Sequence, residues 1–351
     1  MYSVNQLFIG LLSITQQGIC MSFNAIILEK NEVTGFSHSL KTTTKQQLLQ
    51  QQGDTLVKIQ YSSINYKDAL ALTNKSPIVR QWPMVPGIDG VGTVIECQSG
   101  RYQPNDLVIL NGWGCGETHW GCLAQYAYLK SDWLIPLPSN LTPYQSMIIG
   151  TAGYTAALCV LRIVDFGVKP KDGKILVTGA TGGVGSVAIA LLSKLGYQVT
   201  AATSKMKDED YLHKLGAVEI IDSQSLKEPN RPLQKEQWSA AIDVVGSYTL
   251  ANICAQTQYG GIVTCCGLTQ GMDLPATVAP FILRGVTLAG VDSVMASYDK
   301  RVAAWQLIAQ HFDEKLFSYI GKTITLNECS DIANKMIAGQ IKGRFIVDVN
   351  H

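Results

Sequence analysis

Charge is scarce in this 351-residue chain: 16% of residues are Asp, Glu, Lys or Arg, and they nearly cancel to a net charge of +1. Nucleic acid is gripped mainly through clustered Lys and Arg, so this balance removes that partner class. No uninterrupted apolar run reaches the ~20 residues needed to cross a bilayer, which argues against a membrane partner. The nine cysteines are scattered and include no Cys-x-x-Cys pair. A chain of this size needs no disulfides to hold a core, so they read as reduced thiols of a cytoplasmic protein. Internal repeats and low-complexity tracts are absent too. No Lys or Arg precedes the apolar patch Leu7 to Ile14, and no clear small-residue cleavage site follows it, so a secretory signal is not supported. Met21 opens a strand-like run, Phe23 to Leu28, and residues 1–20 read as an upstream extension outside the fold.

What is abundant is apolar residues, 46%, and glycine, 32 in all. Both suit a compact α/β enzyme, and the length suggests two domains. One stretch organises the rest: Lys174-Ile-Leu-Val-Thr-Gly-Ala-Thr-Gly-Gly-Val-Gly185. Ile175 to Thr178 is short, apolar and partly β-branched, the pattern of a buried strand. Glycines follow at 179, 182, 183 and 185, and then apolar residues from Val184 to Leu195 recur at helical spacing until Gly196. Strand, glycine turn and helix form a dinucleotide site. Gly179 permits the turn, Gly182 lets backbone approach a pyrophosphate, and Gly185 lets the helix pack on the strand. N–H groups at the helix start then face the phosphates. The spacing Gly-x-x-Gly-x-x-Gly is one residue longer than usual in its first gap. Glycine turns also join strands to helices without any ligand, so the flanking strand and helix carry the reading.

A further absence refines it. An NAD site places Asp or Glu at the end of the second strand, against the ribose 2′-hydroxyl. Here that strand ends Val199-Thr-Ala-Ala-Thr-Ser-Lys205, with no acid. Thr203 and Ser204 offer hydroxyls and Lys205 a positive charge, which suits a 2′-phosphate and hence NADPH. The competing reading makes Lys205 an ordinary solvated loop lysine.

Residues 21–149 are rich in strand-like runs, with Val57 to Tyr61, Gly92 to Ile95 and Asp106 to Leu110 the clearest, and read as a mainly β domain. Gln46 to Gln52 reads as a surface loop. Between 150 and 295 strands and helices alternate, which implies a doubly wound parallel sheet. A helix over Ser146 to Leu161 precedes it. A helix over Asp299 to His311 and a strand over Arg344 to Val349 follow.

Three further segments carry polar groups. Asn65-Tyr66-Lys67-Asp68 follows a strand and equally reads as an Asn-started helix. Pro86-Gly-Ile-Asp-Gly-Val-Gly92 reads as a turn before a strand. Gly112-Trp-Gly-Cys-Gly-Glu-Thr-His-Trp-Gly121 is a loop in which His119 is either a base or a structural residue. Within and beside these segments, Ser62-Ser-Ile-Asn-Tyr-Lys-Asp-Ala-Leu70, Pro83-Met-Val-Pro-Gly-Ile-Asp89, Gly116-Glu-Thr-His-Trp-Gly121, Gly150-Thr-Ala-Gly153, Gly179-Ala-Thr-Gly-Gly-Val-Gly-Ser186, Pro280-Phe-Ile-Leu-Arg284 and Gly290-Val-Asp-Ser-Val-Met295 together resemble the medium-chain dehydrogenase/reductase superfamily. Within it, they are most similar to the zinc-free, quinone-oxidoreductase-like branch that contains the NADPH-dependent acryloyl-CoA reductases. The resemblance covers about residues 22–350.

The resemblance implies a GroES-like catalytic domain over 21–149, completed by 296–351, and a Rossmann NADPH-binding domain over 150–295. Cofactor contacts are implied for Tyr66, Gly179, Thr181, Gly182, Gly183, Val184, Thr203, Ser204, Lys205, Leu268, Ile282 and Arg344. Asn65, Tyr66 and Asp68 are the implied catalytic group. No metal is expected: zinc-dependent relatives have Cys where Asn65 stands and Gly-His-Glu where Gly87-Ile-Asp89 stands, and zinc needs three or four placed ligands. The implied reaction is NADPH-dependent reduction of a small enoyl thioester. A quinone or enone reductase, or a non-catalytic NADPH-binding sensor, are the alternatives. CoA would need positive charge at the cleft mouth, for which Lys75, Arg80 and Arg301 are candidates. A homodimer paired edge to edge near Thr287 to Val291 is also implied.

Overall fold

The computed structural model describes residues 21–351 except Thr34, Phe312 and Asp313. The expected extension, residues 1–20, therefore lies outside the described residues. Two large sheets share the chain. One is six-stranded and wholly parallel. In spatial order its strands are Ala217–Asp222, Val199–Thr203, Lys174–Val177, Trp238–Asp243, Thr257–Cys265 and Thr287–Gly290. By sequence they run third, second, first, fourth, fifth, sixth. The order reverses direction beside Lys174–Val177, where the glycine turn leaves the sheet, and ligands of open α/β sheets bind at such a switch point. The strands are buried runs such as Ile175, Leu176 and Val177, all fully shielded, as expected of a sheet covered on both faces.

The second sheet is seven-stranded, and all but one of its strand pairs are antiparallel. Thr55–Ile64 lies at its centre, beside Asp89–Cys97 on one side and Arg344–Asp348 on the other. The last strand comes from the far end of the chain, and its parallel neighbour Gly321–Thr325 closes the sheet edge. The strands Ser22–Asn31 and Gly35–Thr44 form a separate antiparallel hairpin. One apolar core belongs to the second sheet and includes Ile59, Ile64 and Val347; a larger one runs from Val177, Leu191 and Ile242 of the parallel-sheet layer to Val91, Ile109 and Ile346 of the second sheet; a third holds Leu176, Ala241 and Val263.

One long helix, Pro143–Phe166, ties the two sheets together. Thr142 caps it: its hydroxyl accepts from Gln145 N, and Pro143 fits the first turn. The helix breaks at Gly150, where φ is 49° and ψ −160°. It is long and apolar enough to cross a membrane, a length the sequence reading did not credit, yet 78% of its most apolar window is buried inside the protein. Burial accounts for its composition, since a helix apolar on all sides fits the core of a large protein.

Most boundaries differ from the sequence reading by a few residues. Two differences bear on the site. The turn expected over 86–92 becomes strand at Asp89, which places that carboxylate inside a sheet. The Gln-rich stretch opens as a helical turn, Lys45–Leu48, with Thr44 as its cap, so only its second half is loop.

Candidate active-site cleft

The break at Gly150 has a local cause. A Cβ there would stand 2.3 Å from Arg344 Nη2 and 2.4 Å from Asp89 Oδ2. Only glycine permits both the left-handed backbone and this approach. What the missing side chain admits is a buried polar network between the two sheets. Asp89, with no exposed surface, accepts from Ser63 Oγ at 2.6 Å, Asn65 Nδ2 at 2.7 Å and Asn111 Nδ2 at 2.7 Å. Thr151 adds its backbone N–H, at 2.8 and 2.9 Å to the two carboxylate oxygens, and its hydroxyl at 2.6 Å. Arg344 Nη2 lies 3.4 Å away as the ionic partner. A buried carboxylate with this many donors and a guanidinium beside it is satisfied, as a buried charge must be.

Arg344 joins the network to the glycine turn. Its guanidinium donates to Asn65 Oδ1 at 2.8 Å, Ser63 Oγ at 2.7 Å and Ile148 O at 3.1 Å. Its stem passes the turn closely enough that a Cβ on Gly183 would lie 2.8 Å from Arg344 Cδ. Full burial pulls the guanidinium below its usual range, and the Asp89 charge works against that shift. One side chain thus spans from the dinucleotide turn to Asn65, the implied reacting end.

The turn itself has the shape its sequence predicts. Gly182 caps the helix Gly183–Lys194, and a Cβ on Gly185 would meet Gly179 O at 2.5 Å and Ala180 Cα at 2.8 Å. Close helix packing therefore requires Gly185 to be glycine. The N–H groups of Gly183, Val184 and Gly185 open the helix without intrahelical acceptors and point outward toward an anion. Added side chains at Gly182 or Gly183 would crowd this cradle, so the residues present fit a dinucleotide pyrophosphate. Thr181, buried, accepts from Gly343 N at 3.1 Å, so the C-terminal tail packs over the turn. At the end of the second strand, Thr203 is buried and Ser204 exposed. Lys205 is half-buried, and burial lowers its ammonium pKa. Its Nζ donates to Ile341 O at 2.6 Å. Lys342, from the same tail, pairs with Asp208 at 2.9 Å, so a second cation that sequence spacing could not suggest stands near this end.

Asn65 and Asp68 lie beneath the cleft surface, where Asp68 orients its neighbours. Asn65 is 7% exposed, and its amide is taken up by Asp89 and Arg344. Asp68 lies behind it, 2% exposed, accepting from the backbone N–H groups of Asn65 at 2.9 Å, Gly87 at 3.1 Å and Ile88 at 3.0 Å. Burial, aided by the nearby Asp89 charge, pushes the Asp68 carboxyl up to about 6 despite these donors. Asp68 is therefore a positioning residue that fixes the Asn65 and Gly87 backbones, because it reaches no open surface. Tyr66 is the exposed member at 44%, and its hydroxyl has no partner among the described residues.

Several other expectations move. Arg301, considered for the cleft mouth, is 1% exposed. Its guanidinium donates to Asn111 O at 2.6 Å, Val294 O at 2.6 Å and Ala296 O at 2.9 Å, and lies over the Trp113 ring at 4.3 Å. It is a structural bolt, since every face is already engaged. His119 is buried with its ring nitrogens 2.9 Å from Trp120 O and 2.8 Å from Gln52 O, and burial lowers its pKa, so the structural alternative holds. Lys75 and Arg80 are exposed. Leu268, 55% exposed, stands beside Gly246 at the carboxyl edge of the parallel sheet. Ile282 is 72% exposed on the helix Ala279–Arg284, which packs on Thr257–Cys265. Sequence reasoning missed Asp89, Asn111 and Thr151 as members of the network; the one signal was an acid inside an otherwise small and apolar run.

Comparison with known proteins agrees with this architecture. The family described as zinc-binding dehydrogenase matches residues 183–310, and the alcohol dehydrogenase GroES-like domain matches 51–139. The chain is 47% identical to the probable acrylyl-CoA reductase AcuI of Escherichia coli K12 over 326 residues, 93% of this chain and 99% of that one. It is 41% identical to the putative quinone oxidoreductase YhfP of Bacillus subtilis over 327 residues, 93% of this chain and 98% of that protein. The crystal structure of the yhdH oxidoreductase from Salmonella enterica in complex with NADP superposes with a TM-score of 0.90 at 45% identity, covering 94% of this chain and all of that one. The zinc in the first family's description does not fit the residues here. Among the described residues no three His, Cys, Asp or Glu side chains converge as a metal-binding group, and Asp89 is already saturated by donors and a guanidinium. From these matches and this fold, the chain belongs to the medium-chain dehydrogenase/reductase superfamily, in its quinone-oxidoreductase-like, acrylyl-CoA reductase branch.

Proposed function

We propose that the protein reduces the activated C=C bond of a small enoyl thioester, acryloyl-CoA to propionyl-CoA, using NADPH. The observation that carries this reading is the 47% identity, over nearly the whole of both chains, to a protein named as a probable acrylyl-CoA reductase. NADPH, when bound, supplies the hydride. The chain's own residues hold and orient. The turn from Gly179 to Val184 and the helix start take the pyrophosphate. Thr203, Ser204 and Lys205 take the 2′-phosphate, and Lys205 already presents its ammonium toward an oxygen, that of Ile341. Arg344 and Asp89 lock Asn65, and Asp68 fixes the backbone before Tyr66. As charge develops on the thioester oxygen, the unpartnered Tyr66 hydroxyl is the available donor, and solvent supplies the proton to the α-carbon.

A quinone acceptor is the second reading, favoured by the 41% identity to a putative quinone oxidoreductase. NADPH oxidation measured side by side with acryloyl-CoA, crotonyl-CoA and 1,4-benzoquinone separates the two. Turnover of the quinone alone refutes the thioester assignment. The assembly that goes with this reading is a homodimer. Thr287–Gly290 ends the parallel sheet with one unpaired edge, and Val278, Ile282 and Leu283 lie exposed close by in sequence. Pairing that edge with a second copy satisfies its backbone groups. Light scattering that reports a monomer at micromolar concentration removes the dimer. The eight described cysteines are all free, which supports a reducing, cytoplasmic setting.

A further inference from the structure

The helix Tyr66–Leu72 begins at the cleft, and its far end reaches a second cavity. The helix stops in a Schellman turn. Asn74, at φ 50°, donates to Ala71 O at 3.2 Å, and Lys75 N donates to Leu70 O at 3.1 Å. Asparagine tolerates the left-handed position, and the reversal it makes sets Lys75 at the cavity rim. Lys67 and Ala71 stand one turn apart on this helix: Lys67 pairs with Glu117, and Ala71, buried, borders the cavity. At a 1.5 Å rise per residue, the seven-residue helix puts about 10 Å between Tyr66 and its far end.

The cavity measures about 300 Å³ and is bounded by Ala71, Asn74, Lys75, Val79, Trp82 and Lys30. Two features give it a chemical character. Lys30 and Lys75 are both exposed, and neither makes an ion pair or side-chain hydrogen bond among the described residues. Many other lysines are engaged: Lys41 on Glu29, Lys67 on Glu117, Lys174 on Glu219, Lys335 on Asp331 and Lys342 on Asp208. Trp82 lines the same cavity, and its half-buried indole is held edge-on by Phe36 with ring centroids 6.1 Å apart. Two unpaired cations and one aromatic ring at the same cavity match a ligand that carries two phosphate groups and a flat base on one ribose. NADPH is already accounted for at the glycine turn.

Resting on the thioester reading above, we propose that this cavity holds the phosphorylated adenosine end of the CoA thioester. Lys30 and Lys75 meet its phosphates and Trp82 meets the base. The flexible pantetheine arm bridges the length of the helix from the cavity to Tyr66. The assignment also divides the work of the chain's cations. Lys205 serves the cofactor's phosphate, and Lys30 and Lys75 serve the substrate's.

The test uses the whole enzyme saturated with NADP⁺, so that the cofactor site cannot take the probe. CoA, adenosine 3′,5′-bisphosphate and pantetheine are titrated by calorimetry into wild type, Lys30→Glu and Lys75→Glu. Both lysines are exposed and unpaired, so the variants keep the fold. CoA and the bisphosphate should bind, and CoA affinity should fall roughly tenfold in each charge-reversed variant. In turnover, KM for acryloyl-CoA should rise while acryloyl-pantetheine is reduced as before. CoA that binds no better than pantetheine, or equally well to all three proteins, overturns the pocket. If acryloyl-pantetheine is still reduced in that case, the reductase reading survives the loss of the pocket. If neither thioester is turned over, both fall together.

Discussion

Asn65→Asp alters one contact in the buried network and leaves its volume unchanged. The Asn65 amide nitrogen donates to Asp89 Oδ2 at 2.7 Å, and its oxygen accepts from Arg344 Nη1 at 2.8 Å. The substitution keeps the acceptor and turns the donor into a second carboxylate oxygen, so two anions face each other at hydrogen-bond distance. Asp89 has no exposed surface and Asn65 has 7%, so solvent does not screen them. Arg344 balances one carboxylate only. A lost hydrogen bond to a charged group costs about 1.5–3 kcal/mol, and an uncompensated buried charge raises the total toward about 3–5 kcal/mol. For a chain of this size that lowers the melting temperature by about 4–7 °C. The sign with pH follows from repulsion, which raises the folded pKa of the introduced carboxyl above its unfolded value. The deficit is therefore full at pH 8 and shrinks as acidification restores a proton between the two oxygens. Asn65→Ala, which cannot titrate at this position, should lose stability by an amount nearly independent of pH. Thermal melts of wild type and both variants at pH 8 and 5.5 measure all of this. An Asn65→Asp protein as stable as wild type at pH 8, or one whose deficit grows on acidification, refutes the account of the network.

Gly185→Ala should destabilise by about 1–3 kcal/mol, because its Cβ would meet backbone atoms at 2.5 and 2.8 Å that cannot move aside cheaply. NADPH affinity should fall with it, and a variant with unchanged melting temperature and dissociation constant contradicts the close-packing argument. Lys205→Glu should weaken NADPH roughly 10- to 100-fold while changing NADH far less, and equal losses for both cofactors would remove the 2′-phosphate assignment. Asp68 titrates from 3.8 in the unfolded chain to about 6 in the fold, so the folded protein holds a proton through that window that the unfolded chain has lost. Its contribution favours folding at low pH and disappears as pH rises through about 6, a span of about 3 kcal/mol. Relative to Asp68→Asn, wild type should gain stability between pH 7 and pH 4 in urea titrations; a constant difference speaks against the raised pKa. Tyr66→Phe should slow single-turnover hydride transfer while leaving NADPH affinity nearly intact, and an unchanged rate would move the oxyanion donor elsewhere.

The parallel sheet and its glycine turn were legible because their signals are local. A β-branched run, spaced glycines and a helical apolar period all lie within Lys174 to Gly196. The absence of an acid after Val199 is local as well. The Asp89 network was not legible, because its members come from five separate segments and meet only through tertiary folding. Asn65 and Arg344, which touch, are 279 residues apart. Arg301 shows the same limit from the other side. Charge alone places an arginine at a surface, whereas four backbone carbonyls and a tryptophan face keep this one inside. The helix Pro143–Phe166 was seen only in part, since the break at Gly150 conceals its continuity and its apolar character is explained by the two sheets it joins.

The central strand Thr55–Ile64 takes one of its neighbours, Arg344–Asp348, from the opposite end of the chain. This has a consequence for synthesis. All six strands of the parallel sheet lie between Lys174 and Gly290, so a nascent chain can complete that sheet from contiguous sequence. The older, N-terminal half must wait. Until residues near Arg344 emerge, Ile64 to Tyr61 present an unpaired edge, and Asp89 lacks its guanidinium partner in the interior. The first part of the chain to be made is thus the last to be finished, and for that interval the open edge is the place where a chaperone, or another copy of the chain, would pair.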